Sequence, residues 1–402
     1  MSAGVILANQ QGVVVSVDSA STYSDKNFKT TFDHAKKVFL LKKDKNYGVV
    51  LVGNANLSGH LWSTLIGEYI HNLDLKDKNF QELISLVKDF RKFLVQKQEA
   101  FQFHLNEDRY FYLHLIEGIQ FVKQNIKLNH PKLSNVTQMV YFLKKHQKAL
   151  KEEHEDNTEY SLKVSDIVKK YLILTKETLV NEFQDLARNT DVVISKVATL
   201  FLETLVLSIQ KGWYSDQLES ELSFFGYGEK DLYPSVITFE VYGFFQGQLI
   251  YGNEIMRKVD VQNSSYRIPI GQSDVSESIL EGIPHRFIEA VDKYQDSLIK
   301  SIIFQAKKEN IPLDNLEKIL KIYAKLKPFI HEDLKRFKLT ENKRLISIDT
   351  LDIEELYSLT KGIIQASILK SKFEFSRANR TVGGSIQSIL MSKRSIPKIQ
   401  ND

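Results

Sequence analysis

Between residues 75 and 225 the sequence is almost entirely helical in pattern, and this stretch most constrains the fold. Lys and Glu dominate its polar faces, and proline occurs only once, at Pro131. Strand-like runs lie on both sides of it. The order strands, helices, strands, helices and a last strand suits a layered α+β sandwich with a long helical insertion between its halves. We therefore divide the chain into 1–74, the first part of a core, 75–231, the insertion, and 232–402, the second part of the core.

Apolar, β-branched runs separated by turn residues predict the strands. Residues 4–8 and 12–18 form a predicted hairpin, which turns at Asn9-Gln10-Gln11 and closes on Gly12. The continuous apolar character of 48–52 predicts a strand that is buried on both faces. Further strands are predicted at 38–41, 235–241, 248–251 and near 266–269, and helices from Ser58 and over 275–283, 285–308, 314–327 and 352–372, before a last strand entered through Gly383 and Gly384.

Composition excludes several function classes. Apolar residues make up 43% of the 402 positions and charged residues 26%, which is typical of a globular protein. The net charge of +4, from 54 basic and 50 acidic residues, is too small to predict a nucleic-acid groove. Cysteine is absent, so disulfides, cysteine-ligated zinc and a thiol nucleophile are excluded. The 10 histidines show no zinc-binding spacing, and we expect neither a metal nor a cofactor.

The sequence predicts a cytoplasmic protein without membrane contact. Its N-terminus reaches polar Asn9 and Gln10 without the basic region and long apolar core of a secretory signal. The most apolar later stretch, Val197–Ile209, is expected to be too short for a membrane span, and it contains Glu203. Because the second residue is small, we also expect removal of Met1.

The predicted hairpin brings its two ends together. With a turn at residues 9–12, opposed positions sum to about 21, so Ser2 and Asp18 are expected to lie close together at the open end. Asp18 ends an apolar run, and a carboxylate in that place needs a partner. One alternative is an Asx-turn, in which Asp18 bonds the backbone at Ala20 or Ser21.

A lysine is the other candidate partner for this carboxylate. Lys37 opens the strand 38–41 after a connection long enough to cross the sheet. Lys36 competes with it, because adjacent strand residues face opposite sides, but the core pattern resumes directly at Val38 and favours Lys37. A lysine held by a carboxylate stays charged and lowers the pKa of a nearby α-amine from its reference value of about 8.

A freed Ser2 would then carry both a nucleophile and a base. Its hydroxyl can attack an amide carbonyl while its own α-amine accepts the proton, so no histidine is required. Backbone N–H groups at the predicted strand-to-helix junction Gly53-Asn54-Ala55 can hold the oxyanion, because helix N-termini attract negative charge. This combination is the logic of an N-terminal-nucleophile (Ntn) hydrolase.

Four segments resemble one known family. The run from Ser2 to Thr22 resembles the start of a proteasome β subunit, with the family's spacing from nucleophile to aspartate. Residues 36–39 resemble its catalytic-lysine strand, 50–55 its glycine-bearing strand, and 381–386 its final glycine pair. By this resemblance the chain is identified as an atypical bacterial member with a helical insertion. The resemblance implies a four-layer αββα Ntn-hydrolase sandwich of antiparallel sheets.

The resemblance also implies site residues. It assigns Ser2 as the nucleophile, Asp18 as the residue that orients Lys37, Lys37 as the group that tunes the Ser2 amine, Gly53 N–H as the oxyanion donor, Thr22 as a contact to the substrate backbone, and Leu51 and Ala55 as lining of the substrate pocket. Two departures are an Asn379 and a Val382 at places where the family carries an aspartate and a serine.

Together these observations predict amide-bond hydrolysis by Ser2, as in a threonine- or serine-type protease, on a peptide or acyl-amide substrate. Peptidase and acylase chemistry share this nucleophile, and both stay open. The resemblance implies a homo-oligomer, for which a ring is one form. The competing hypothesis is a catalytically degenerate assembly or binding protein that keeps the fold, and Asn379 and Val382 favour it.

Overall fold

A computed structural model describes most of the chain. The described residues are 2–25, 28–42, 45–75, 79–129, 135–152, 162–213, 215, 217–252, 254–309, 347–373 and 382–402, with scattered positions from 318 to 336. The α-helices are α1 (Trp62–Leu75), α2 (Leu83–Gln96), α3 (Glu107–Asn129), α4 (Asn135–Glu152), α5 (Val164–Glu182), α6 (Asp191–Gln210), α7 (Asp274–Glu281), α8 (His285–Lys308) and α9 (Ile353–Phe373), and short 3-10 helices cover Phe103–Asn106 and Leu186–Arg188.

The strands form antiparallel sheets. They are β1 (Ala3–Asn9), β2 (Val13–Asp18), β3 (Ser21–Asp25), β4 (Phe28–Phe32), β5 (Val38–Leu40), β6 (Tyr47–Gly53), β7 (Asn56–Leu57), β8 (His60–Leu61), β9 (Ser220–Gly226), β10 (Ser235–Phe245), β11 (Gln248–Tyr251), β12 (Ile255–Lys258), β13 (Ser265–Gly271), β14 (Ile386–Met391) and β15 (Lys398–Asn401). A five-stranded sheet has the order β13-β1-β2-β14-β15 and a six-stranded sheet the order β11-β10-β9-β6-β5, with β12 on β10. The α+β class with antiparallel sheets is therefore confirmed.

The N-terminal hairpin forms as predicted. Gly4 lies opposite Val17 and Ala8 opposite Val13, so the opposed positions have the predicted sum. The turn is closed by the Asn9 N–H, which donates to the Gly12 carbonyl at 2.9 Å. The Asn9 side-chain oxygen accepts from the N–H groups of Gln11 and Gly12 at 2.8 and 3.2 Å, which is why a polar turn of this composition folds back here.

The described chain divides into two compact units. The first contains residues up to Val52, Phe225–Val236 and Arg257–Asp402, and the second contains Gly53–Phe224 and Ile237–Met256. These units are cut at other positions than the sequence division into 1–74, 75–231 and 232–402. That sequence division stays a prediction.

In the first unit the five-stranded sheet is covered on both faces. Ile6 and Val15 belong to a buried cluster that also contains Val50 of β6. Val5 belongs to a second cluster with Ile363 of α9. Because neighbouring strand residues point to opposite faces, both faces need apolar residues, and this explains the continuous apolar runs of β1 and β2. The predicted burial of 48–52 is confirmed from Val49 to Val52.

In the second unit α3, α4, α5 and α6 share a core. α6 has 20 residues and a mean hydropathy of 2.0, and among the helices that the structure describes it alone is long and apolar enough to cross a membrane. The expectation that Val197–Ile209 is too short to span a membrane was wrong, because the helix that contains it runs from Asp191 to Gln210. Half of it is buried, with Phe201 and Leu202 inside the shared core and Glu203 exposed. A core helix of a helical unit has this same character.

Several element predictions needed correction. A helix was expected from Ser58, but Ser58 and Gly59 take left-handed φ values of 45 and 88 degrees and form the turn of the β7–β8 hairpin, so α1 begins at Trp62. The hairpin turn expected over residues 243–247 is shorter, because only Gln246 and Gly247 separate β10 from β11. The strands β3, β4, β7, β8, β9, β12 and β15 were not predicted, and most of the predicted helix 314–327 lies outside the described residues.

Candidate active site

Asp18 lies at the end of β2, where three chain segments meet. Its carboxylate is fully buried. Oδ1 accepts from the Ala3 N–H at 2.9 Å, and Oδ2 accepts from the Gly383 N–H at 2.9 Å and from the Ala20 N–H at 3.3 Å. β1 and the segment before β14 lie on either side of β2, and this strand order delivers the two distant donors. The local Asx-type bond to Ala20 therefore coexists with long-range contacts.

Lys37 completes the surroundings of this carboxylate. Its Nζ lies 2.9 Å from Asp18 Oδ1 and also donates to the Ala20 carbonyl. The Lys37 backbone is fixed on both sides, because its N–H donates to Gln387 Oε1 and its carbonyl accepts from the Leu51 N–H, each at 2.9 Å. The residue is buried.

The neighbouring lysine faces the other way. Lys36 is exposed, and its Nζ lies 4.9 Å from the centre of the Phe39 ring. Lys36 and Lys37 lie directly before β5, which begins at Val38. Adjacent residues in an extended chain face opposite sides, so only one of the two lysines can face inward, and it is Lys37.

The Asp18–Lys37 ion pair is buried, and removing its two charges from water costs free energy. Burial lowers the pKa of the Lys37 ammonium, and the Asp18 carboxylate acts in the opposite direction through its charge and its hydrogen bond. A buried ion pair of this kind requires good geometry and further hydrogen bonds, and the three backbone N–H donors to Asp18 supply them.

Ser2 lies at the open end of the hairpin, directly before the residue that bonds Asp18. It is 5% exposed, and its carbonyl accepts from the Gln272 N–H at 2.6 Å. Gly271 makes this approach possible. A Cβ on Gly271 would lie 2.2 Å from the Ser2 carbonyl oxygen, and its φ of 67 degrees is one that other residues rarely adopt.

Sequence reasoning missed Gly271 and Gln272 as neighbours of Ser2. The β1–β13 register places Ala3 opposite Gly271, so these residues meet only because β13 is the strand that flanks β1. The available signal was Gly271, two residues after the predicted strand near 266–269, since a glycine there marks a close backbone approach.

The predicted strand-to-helix junction at Gly53-Asn54-Ala55 was wrong. These residues precede the β7–β8 hairpin, so no helix N-terminus lies there, and α1 begins only at Trp62. The Asn54 N–H donates to the Glu219 carbonyl at 2.7 Å and is already used. Gly53 itself ends β6 with a left-handed φ of 86 degrees and begins the second unit. Its role as an oxyanion donor stays a prediction.

The three predicted substrate contacts lie in different parts of the chain. Leu51 is buried in the first unit, and Ala55 is half-buried in the second. Thr22 lies in β3, opposite Thr31 of β4. A shared pocket for these three residues stays a prediction.

The departures from the family pattern are partly visible. Val382 is buried, at 2% exposure, directly before the Gly383 that donates to Asp18. Asn379 lies outside the described residues. A hydroxyl does lie beside the segment that follows Gly383, because Ser19 Oγ accepts from the N–H of Ser385 at 2.8 Å. In the described part of the chain no group of three or more His, Asp or Glu side chains could hold a metal ion.

No protein-family model matches the chain, and no curated protein matches it. Solved structures similar to it include Anbu (ancestral beta-subunit) from Yersinia bercovieri, at 10% identity and a TM-score of 0.32, covering 99% of this chain and 86% of that one. Two others are from Hyphomicrobium sp. strain MC1. A Gly-1 mutant of Anbu has 7% identity, a TM-score of 0.31 and coverages of 100% and 87%, and Anbu itself has 9% identity, a TM-score of 0.31 and coverages of 99% and 86%.

These matches correct the family assignment. The identification of the chain as an atypical member of the proteasome β-subunit-like family was wrong, because no family model matches and TM-scores of 0.31 to 0.32 mark only a weak, distant fold relation to Anbu. Short motifs produced the resemblance, and such motifs recur without shared ancestry or activity.

Proposed function

We propose that the chain hydrolyses an amide bond with Ser2 as an N-terminal nucleophile, after removal of Met1. One observation carries this proposal: the Lys37 ammonium and the backbone N–H of Ala3 both lie 2.9 Å from the same oxygen of the buried Asp18. Ala3, the residue after Ser2, and the buried Lys37 therefore contact the same oxygen atom of Asp18. An enzyme that uses its own α-amine as a base needs this proximity.

The chemistry follows from the charges. The Lys37 ammonium, favoured by Asp18, lowers the pKa of a freed Ser2 α-amine from about 8, so that the amine is neutral near pH 7. The amine takes the proton of the Ser2 hydroxyl as Oγ bonds to the substrate carbonyl carbon. The carbon–nitrogen bond then breaks, and the proton passes to the leaving amine. Water attacks the resulting ester, releases the acid and restores the Ser2 hydroxyl.

Other assignments belong to the same proposal. They are Gly53 N–H as the oxyanion donor, Thr22, Leu51 and Ala55 as substrate contacts, a four-layer αββα sandwich, self-association of the chain and a cytoplasmic location. The substrate is a peptide or an acyl amide.

The test is covalent labelling of the intact chain. Intact-mass measurement should show loss of Met1, and a peptide epoxyketone, which reacts with a hydroxyl and the adjacent α-amine together, should add one equivalent. Ser2→Ala should abolish labelling and Ser2→Thr should keep it. Ser297→Ala, on the exposed side of α8, is the control and should label like the parent chain.

Retention of Met1, or equal labelling of the Ser2→Ala chain, would refute the proposal. A non-catalytic assembly or binding protein is the second candidate. It is favoured by the Asn54 N–H, which already donates to the Glu219 carbonyl at 2.7 Å and is therefore not available to an oxyanion.

A further inference from the structure

An open groove of about 490 Å³ lies within the first unit, among α7, the start of α8 and the end of α9. We call it the α7–α8 groove. Its volume is within the range of small-molecule sites. Apolar side chains form its walls, including Ile279 of α7, Pro284 and Phe287. Phe287 is 51% exposed, which leaves a large apolar surface open to water.

A narrow cleft of about 10 Å³, with room for about one water molecule, adjoins this groove. The two share Asp274, Val275 and Lys370 in their linings. The cleft is also lined by Gln272 and Val382. Gln272 N–H donates to the Ser2 carbonyl, and Val382 directly precedes the Gly383 donor to Asp18. The cleft therefore joins the groove to the segments that hold Ser2.

A polar group in the cleft has no partner. Ser371 is 8% exposed, and its Oγ has no hydrogen-bond partner among the residues that the structure describes. A buried hydroxyl without a partner is costly, and such groups are rare in native structures. Its place in the cleft lining makes it a ready hydrogen-bonding group for a ligand.

The mouth of the groove carries an excess of positive charge. Arg286 Nη1 lies 3.2 Å and Lys370 Nζ 3.6 Å from one oxygen of Asp274, so two cations share one carboxylate. Among the residues that the structure describes, no other charged side chain lines the groove. Glu277, in the next turn of α7, accepts from the Ser273 hydroxyl and the His285 N–H. A second carboxylate, brought by a ligand, would complete the charge balance.

A lone hydroxyl, two cations and apolar walls thus line two adjoining cavities, one of which also contains Gln272, the residue that bonds Ser2. We propose that the substrate is an amide of an apolar α-amino acid with a free α-carboxylate, either the last residue of a peptide or an N-acyl amino acid. The carboxylate binds Arg286 and Lys370, the apolar side chain enters the α7–α8 groove, and Ser371 bonds the substrate amide. This inference rests on the proposed function, because it names the leaving group of that reaction.

The kinetic test compares two substrates that differ only in charge. N-octanoyl-L-leucine has the free carboxylate, and N-octanoyl-L-leucinamide is its neutral form. Release of leucine should have a kcat/KM about tenfold above release of leucinamide, since one charge-assisted contact contributes about that factor. Arg286→Gln and Lys370→Gln should each raise KM for the acid about tenfold, with little change in kcat and none for the neutral amide.

Matched controls exist on the same helices. Lys293→Gln on α8 and Lys372→Gln on α9 each remove an exposed positive charge outside the groove lining and should leave KM unchanged. Equal rates for the two substrates, or equal KM increases in variants and controls, would overturn the assignment of the groove while leaving the hydrolase proposal intact.

A binding measurement tests the assignment of the groove without requiring the proposed hydrolase activity. Calorimetric titration of the Ser2→Ala chain with N-octanoyl-L-leucine needs no catalysis. Binding that weakens about tenfold on adding Arg286→Gln supports the groove even if the parent chain hydrolyses nothing. Absence of binding to the Ser2→Ala chain at millimolar ligand would refute the groove assignment.

Discussion

Asp18 is the residue on which the candidate site depends. Its buried carboxylate accepts from the N–H groups of Ala3, Ala20 and Gly383 and from the ammonium of Lys37. Four donors on one carboxylate satisfy nearly all of its hydrogen-bonding capacity. The site therefore has a structural consequence that can be measured apart from any activity.

Removing this charge should destabilise the chain. Asp18→Asn leaves the Lys37 ammonium buried without its anion, at a cost of about 3 to 5 kcal/mol in the free energy of unfolding. The double variant Asp18→Asn with Lys37→Met removes both charges and should recover part of this loss. Urea denaturation followed by circular dichroism measures both values.

The exposed Lys398–Glu354 pair is the control for that prediction. Its two side chains are 61% and 55% exposed at a separation of 2.9 Å, so Glu354→Gln should cost less than about 1 kcal/mol. If Asp18→Asn cost no more than Glu354→Gln, the buried pair would not be the structural centre described above.

At the scale of elements, β9 is a strand that the local sequence pattern does not predict. It lies between β6 and β10 in the six-stranded sheet. At its end Gly226 has a φ of 128 degrees, and the next N–H, that of Tyr227, donates to the Asn46 carbonyl at 2.7 Å. The local pattern up to residue 225 is helical, and Gly226 and Gly228 are residues typical of turns, so no strand is predicted there. The strand forms because neighbouring strands supply its hydrogen bonds.

Gly226→Ala should therefore destabilise the chain strongly. A Cβ there would lie 2.0 Å from the Asn46 carbonyl oxygen, a backbone atom that cannot move away without breaking the β6–β9 contact. We expect a loss of at least about 2 kcal/mol in urea denaturation.

A second glycine offers the opposite result. Nothing lies within 4 Å of a Cβ on Gly362, in the middle of α9. Gly362→Ala should stabilise by about 0.5 to 1 kcal/mol, because alanine has the higher helix propensity. Equal effects at Gly226 and Gly362 would show that packing at β9 is not as described.

At the scale of the whole molecule, each compact unit has a core of its own. Sheet and α9 residues fill the first, and residues of α3 to α6 fill the second. The second unit also buries a titratable group, His114 of α3. Its Nδ1–H donates to the Tyr110 carbonyl at 3.0 Å, and its Nε2 accepts from the Ser215 N–H at 3.3 Å. The second bond needs the neutral ring, because only an unprotonated Nε2 can accept.

This histidine should make the fold sensitive to acid. Burial lowers the pKa of His114 to about 4, from 6.5 in the unfolded chain. Between these values the unfolded state binds more protons, so stability falls as the pH drops below 6.5. The loss is complete below pH 4 and amounts to about 3 kcal/mol.

His114→Gln should remove this acid-dependent loss. Melting temperatures of parent and variant, compared from pH 7 to about pH 4, should converge as the pH falls. The exposed His71→Gln is the control and should keep the parent's pH profile. A parent-like decline in His114→Gln would mean that another group causes the acid sensitivity.

The sequence by itself determined the hairpin register, the burial of 48–52, most helices and the inward choice of Lys37. Each of these depends on a period of two or 3.6 residues, or on turn chemistry, within a few neighbouring positions. Such signals are local, and they survive whatever the rest of the chain does.

Only the tertiary structure decided that β13 flanks β1 and that the segment before β14 flanks β2. Those pairings bring Gly271 and Gln272 to Ser2 and the Gly383 N–H to Asp18, across more than 260 residues of chain. No local pattern specifies which strand edges meet, because that choice depends on the packing of both sheet faces at once.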